Sequence, residues 1–163
     1  MPRVSKNHWL TEDALGVDYP ATPSLTKVHE MASALKKQGQ YDKALKWYRR
    51  ALAREEKVFG VDHSETLATV HEIAAVFYTQ GLYDKALEWF GRVLAGREKL
   101  LGVDHRDTLA TVSWMASVSK KQGHYDKALE WYQRTLAGKE KALGVEHQEH
   151  LIRSMRSPQY TTP

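Results

Sequence analysis

The sequence of 163 residues contains no cysteine. That excludes a disulfide framework and every thiolate metal site. No apolar run approaches the roughly 18 residues needed to cross a bilayer, and the mean hydropathy is −0.58, so no membrane-spanning helix is expected. The first residues, Met-Pro-Arg-Val-Ser-Lys, form no apolar secretory stretch, so a cytoplasmic location is the expectation. A strong excess of one charge is also missing. Twenty acidic residues are interspersed among twenty-four basic ones, leaving a net charge of +4. Such a mixture argues against nucleic acid as partner, in spite of a pI near 9.2. No segment alternates apolar and polar residues with period two, so no sheet is expected.

What is present is repetition. Gln38-Gly39, Gln80-Gly81 and Gln122-Gly123 recur every 42 residues, as do Trp47, Trp89 and Trp131. Tyr-Asp-Lys-Ala-Leu begins at Tyr41, Tyr83 and Tyr125 with the same interval. Residues 60–101 and 102–143 share 27 identities in 42 positions. So regular a period means stacked supersecondary units, each burying its apolar face against its neighbours. Within a unit, Leu67, Val70, Ile73, Ala74 and Phe77 form one helical stripe, and Ala86, Leu87, Phe90, Val93 and Leu94 form another. Gly81 and Gly102 stand where these two helices should stop. Asp62 and Glu65 are spaced as a helix N-cap and its third-position acidic partner, and Asp104 and Asp107 repeat the spacing.

The expected fold is therefore all-α, a right-handed α-solenoid of antiparallel helix pairs. Residues 1–15 form an N-terminal segment containing the remnant of a preceding helix, and residues 16–144 form three 42-residue helix pairs. Residues 145–156 are expected as a C-terminal capping helix, and 157–163 as an irregular tail.

Small residues at Ala74, Gly81 and Ala86, with Phe77, Tyr83 and Phe90 between them, resemble the tetratricopeptide repeat (TPR) pattern. The 42-residue period, Gly-Val-Asp-His-x-x-Thr-Leu at Gly60 and Gly102, and Leu-Ala-x-x-Glu-Lys-x-Leu-Gly at Leu94 and Leu136 resemble its kinesin-light-chain-like subtype. The resemblance covers about residues 16–151. It implies a superhelix that binds a protein or peptide along a concave groove, with no catalysis and no cofactor. This subtype commonly carries asparagines in mid-helix, where the present sequence has His29-Glu30, His71-Glu72 and Ser113-Trp114. An asparagine ladder and a carboxylate clamp are thus both unexpected.

The residue pattern offers little chemistry. Asp62-His63, Asp104-His105 and Glu146-His147 lie one unit apart, too far for the histidines to converge on one zinc ion, and capping or inter-repeat bonding is the expected use. No Gly-x-x-x-x-Gly-Lys run exists for a nucleotide, and His71-Glu72 lacks the second histidine of a zincin helix. The three regularly spaced tryptophans are expected to bridge neighbouring second helices. The groove is expected to be lined by His29, Ser33, Lys36 and Lys37, then by His71 and Tyr78, then by Ser113, Trp114, Ser117, Lys120 and Lys121. Two lysine pairs around a central Tyr78 favour an acidic segment carrying an aromatic or aliphatic anchor. The alternative function is self-assembly into dimers or head-to-tail stacks through the half-repeats at the ends.

Overall fold

The computed structural model describes the backbone of residues 24–156 and the side chains of residues 24–144. Expectations for residues 1–23 and 157–163 lie outside the described residues. Six helices follow one another: α1 (Leu25–Lys37), α2 (Tyr41–Val58), α3 (Ser64–Thr79), α4 (Tyr83–Leu101), α5 (Arg106–Lys121) and α6 (Tyr125–Arg156). No strand occurs among the described residues. Each helix packs on the one before and the one after it, which makes an all-α solenoid of helix pairs.

The turn inside each pair is set by glycine. At the end of α3, Gly81 has φ +75°, a left-handed conformation that glycine adopts without steric cost. The chain reverses there, and the Leu82 N–H donates to the Phe77 carbonyl at 2.9 Å. The same bond joins Gln40 to Leu35 and His124 to Ser119. It satisfies a carbonyl that the helix end would otherwise leave unpaired.

The turn between pairs works differently. The buried hydroxyl of Thr66 donates to the Gly60 carbonyl at 2.8 Å, and Thr108 does the same to Gly102. The N-caps of α3 and α5 are His63 and His105, whose Nδ1 atoms accept from the backbone N–H groups of Glu65 and Asp107 at 3.3 and 3.2 Å. The expected capping aspartates are used elsewhere. Asp62 accepts from Lys99 at 2.5 Å and Asp104 from Lys141 at 2.6 Å, each pair tying the turn that enters a unit to the last turns of that unit's second helix.

This turn has no third copy. α6 runs unbroken through Gly144 to Arg156, so residues 145–156 extend the sixth helix and do not begin a separate one. The latch residue is missing: His150 stands where Thr66 and Thr108 stand in the earlier units.

The core runs along the array. Val28, Ala32, Ala44 and Tyr48 belong to its first unit; Val70, Ile73, Ala74, Phe90 and Val93 to the second; Val112, Ala116 and Val118 to the third. Close approach of the two helices within a pair relies on small residues. A Cβ at Gly96 would lie 2.5 Å from Leu67 Cδ2, and one at Gly138 would lie 2.7 Å from Leu109 Cδ2.

Candidate functional site

First-helix residues facing the next unit form a contact that recurs with the period but changes its chemistry. At the first rung, Lys36 Nζ donates to Glu72 Oε2 at 2.8 Å and Tyr48 Oη donates to the same oxygen at 3.3 Å. Forty-two residues later the positions hold Tyr78, Phe90 and Trp114. There the contact is aromatic: Trp114 stacks on Phe90 at 5.9 Å and 15°, and meets Tyr78 edge-on at 5.6 Å. His71 adds its ring edge to both Phe90 and Trp114. At the third rung the positions hold Lys120 and Tyr132, and no further first helix faces them among the described residues.

These contacts set the titration of the inner residues. Burial pushes the His71 imidazole below its ordinary range, with the Arg97 guanidinium reinforcing it. Burial alone would raise the Glu72 carboxyl, but the hydrogen bond and charge of Lys36 outweigh it, and the net direction is downward. Burial, and then the Glu72 charge, raise the Tyr48 phenol well above its usual value.

The expected site residues divide accordingly. His29 Nε2 donates to Glu55 Oε1 at 2.8 Å, a carboxylate only 2% exposed whose other oxygen has no partner among the described residues. Ser33 bonds to Tyr48, and Lys36 is neutralised by Glu72, so neither is free for a ligand. Ser113 is held by the Leu109 carbonyl and by Thr135. Trp114 joins two units and stays 37% exposed. Lys37 is exposed and stands apart from the two hollows described next.

Two hollows gather the rest. One, of about 280 Å³, is lined by His29, Glu65, Ala68, His71, Glu72 and Arg97. The other, of about 340 Å³, is lined by Tyr78, Ser117, Lys120, Lys121, Tyr125 and Tyr132. Ser117 and Tyr132 share a hydrogen bond of 3.1 Å on its wall, whereas Lys120 and Lys121 carry no ion pair among the described residues. The four side chains Tyr78, Ser117, Lys120 and Lys121 thus come together as the repeat phase implies. No cluster of three or more metal-ligating side chains occurs among the described residues.

A tetratricopeptide repeat family model matches residues 24–99 and again 66–141. The chain belongs to the tetratricopeptide repeat family. Among solved structures, this TPR array is similar to a Podospora anserina protein described as a kinesin light chain with nearly identical TPR-like repeats. The identity is 26% and the TM-score 0.64, over 72% of this chain and 56% of that one. BtubC (BKLC) from P. vanneervenii has 16% identity and a TM-score of 0.66, over 72% and 46% of the two chains. The TPR domain of Arabidopsis FLU has 18% identity and a TM-score of 0.62, over 72% and 95%. The last two show the fold alone. The array therefore spans about half the length of the kinesin-light-chain-like structures it matches. No curated protein matches the sequence.

Several lining residues of the TPR array escape a reading of first helices alone. Tyr125 and Tyr132 come from α6, and Arg97 from α4, where its guanidinium donates to the Asp107 carbonyl and to Thr111. Their signal was phase: Tyr132 stands 84 residues after Tyr48. The tryptophans also differ from expectation. Trp89 packs near Phe77 of its own unit at 6.2 Å, and Arg134 lies over Trp131 while pairing with Glu98 of the preceding unit. The arginine thus makes a bridge between second helices with Trp131 beneath it.

Proposed function

We propose that this TPR array is a protein-binding module that takes an acidic segment of its partner at the hollow between α3, α5 and α6, without catalysis of its own. TPR repeats are in general protein-interaction modules, which supports the class of function. One observation carries the location. Among the described residues, Lys120 and Lys121 carry no ion pair, and they border a hollow of about 340 Å³ walled by three tyrosines, while the equivalent Lys36 is already neutralised by Glu72. Carboxylates of the partner meet the two ammonium groups, and an aliphatic or aromatic anchor lies against Tyr78, Tyr125 and Tyr132. A wholly polar ligand would leave those rings unused. A nucleic acid would need a longer, uninterrupted basic stripe.

The test is calorimetric titration with a synthetic glutamate-rich peptide carrying one central leucine. Lys120→Glu with Lys121→Glu should weaken binding at least tenfold with unchanged helicity. Lys36→Glu should leave the affinity close to that of the parent. Equal affinity of the parent and the Lys120/Lys121 variant would remove the assignment.

A further inference from the structure

The junction between consecutive units is built twice within this chain, from the same parts. Arg92 pairs with Glu56 and Lys99 with Asp62 at the first junction; Arg134 pairs with Glu98 and Lys141 with Asp104 at the second. The two ends of the described array carry the unmatched halves of a third. At one end, Glu140 lies in phase with Glu56 and Glu98, exposed and without an ion pair among the described residues. At the other, Arg50 lies in phase with Arg92 and Arg134, and it sits over Trp47 at 5.6 Å much as Arg134 sits over Trp131 at 5.9 Å.

The inner side of the junction repeats the complementarity. Lys36 and Tyr48 receive Glu72 from the next first helix, whereas Tyr78 and Phe90 receive Trp114. The third rung returns to the polar version, Lys120 and Tyr132. Its fitting mate is a glutamate, and the residue of this chain in phase with Glu72 is Glu30, which is exposed on α1. An aromatic mate would suit this rung poorly.

The apolar side agrees. Leu45, Tyr48 and Leu52 of α2 are buried, as are Phe90 and Leu94 of α4. Their counterparts on α6, Leu129, Tyr132 and Leu136, are 57%, 38% and 58% exposed. A terminal unit of a solenoid ordinarily shows a polar outer face, and this one does not.

We propose that the α5–α6 end of one copy receives the α1–α2 pair of a second copy, continuing the array head to tail in the register of its internal junctions. A single bound helix supplies one of the two charge matches; only a helix pair brings Glu30 to Lys120 and Arg50 to Glu140 together. The contact joins two different surfaces, so it leaves a free end on each copy and extends without closing.

Light scattering across low to high micromolar concentrations tests this directly on the full chain. The parent should show an average mass that rises with concentration above 18.7 kDa. Reversing the tail charges (Lys120→Glu with Glu140→Arg) or the head charges (Glu30→Lys with Arg50→Glu) should weaken association at least tenfold. An equimolar mixture of the two variants should restore it, because each reversed end then meets a complementary one. Leu136→Asp, which places a carboxylate on the exposed apolar face of α6 one turn from Glu140, should also leave a monomer. A parent mass constant at 18.7 kDa overturns the proposal. Charge-reversed variants that associate like the parent overturn it as well. A second copy and an acidic peptide would both use Lys120 and Tyr132 and so compete for this surface, but the scattering readout contains no added peptide and reports association alone.

Discussion

Trp114 lies almost parallel to the Phe90 ring, 5.9 Å away, in the place where the preceding rung sets Glu72 against Tyr48. One position in the repeat thus holds its neighbour by an ion pair and hydrogen bonds in one unit, and by ring stacking in the next. The exchange is coordinated, because Lys36 becomes Tyr78 and Tyr48 becomes Phe90 at the same step. Each rung is internally consistent, and mixing the two chemistries should be costly.

Trp114→Glu alone should destabilise the fold by about 2 kcal/mol, since it removes ring contacts and places a carboxylate beside Phe90 without a donor. Trp114→Glu combined with Phe90→Tyr and Tyr78→Lys rebuilds the first-rung set and should recover at least half of that loss. Urea unfolding followed by circular dichroism measures both. A triple variant less stable than the single one would show that the two rungs are not interchangeable.

Glycines inside α4 should respond in opposite directions. Nothing lies within 4 Å of a Cβ added at Gly91, so Gly91→Ala should stabilise by about 0.5–1 kcal/mol through helix propensity. At Gly96 the added Cβ would stand 2.5 Å from a side chain that is itself only 2% exposed, Leu67. Gly96→Ala should therefore be destabilising by about 1 kcal/mol or more despite the same propensity gain. Thermal melts of the two variants, run side by side, should move to opposite sides of the parent.

Stability should rise with pH in two windows. The His71 imidazole is held below its ordinary range, so between that ordinary value of 6.5 and the lower folded value the unfolded chain binds more protons, and stability falls as pH falls. The Glu72 carboxyl is also held down, so its contribution is complete above the ordinary value of 4.5 and is lost as pH drops through the folded value. His71→Gln should flatten only the upper window, and Glu72→Gln only the lower one. Denaturant midpoints taken from pH 7.5 to pH 3.5 resolve the two.

The buried Thr66 hydroxyl that donates to the Gly60 carbonyl should contribute to closing the turn between units. Thr66→Val keeps the shape and removes the donor, leaving a carbonyl with one partner fewer. The expected cost is about 1 kcal/mol, with faster amide exchange confined to residues 60–66. Exchange followed by mass spectrometry of the intact chain and its peptides would show whether the change stays local.

The sequence by itself determined the helix pairs, their 42-residue period and the membership of the core stripe. These depend on local rules: apolar residues recurring at helical spacing, glycine where the chain must adopt positive φ, and a near-copy of 27 identities in 42 positions that forces the same fold twice. It also placed Tyr78, Ser117, Lys120 and Lys121 on one surface, because a periodic array converts register into position. Only the tertiary structure decided which of those side chains remain free. Lys36 and Lys120 are equivalent in sequence, yet one is paired across the junction to Glu72 and the other carries no ion pair among the described residues. Likewise His63, not Asp62, caps α3, and the aspartate instead accepts from Lys99 near the far end of α4. In each case the partner lies 36 or 37 residues away, and the two meet only after both helices have packed.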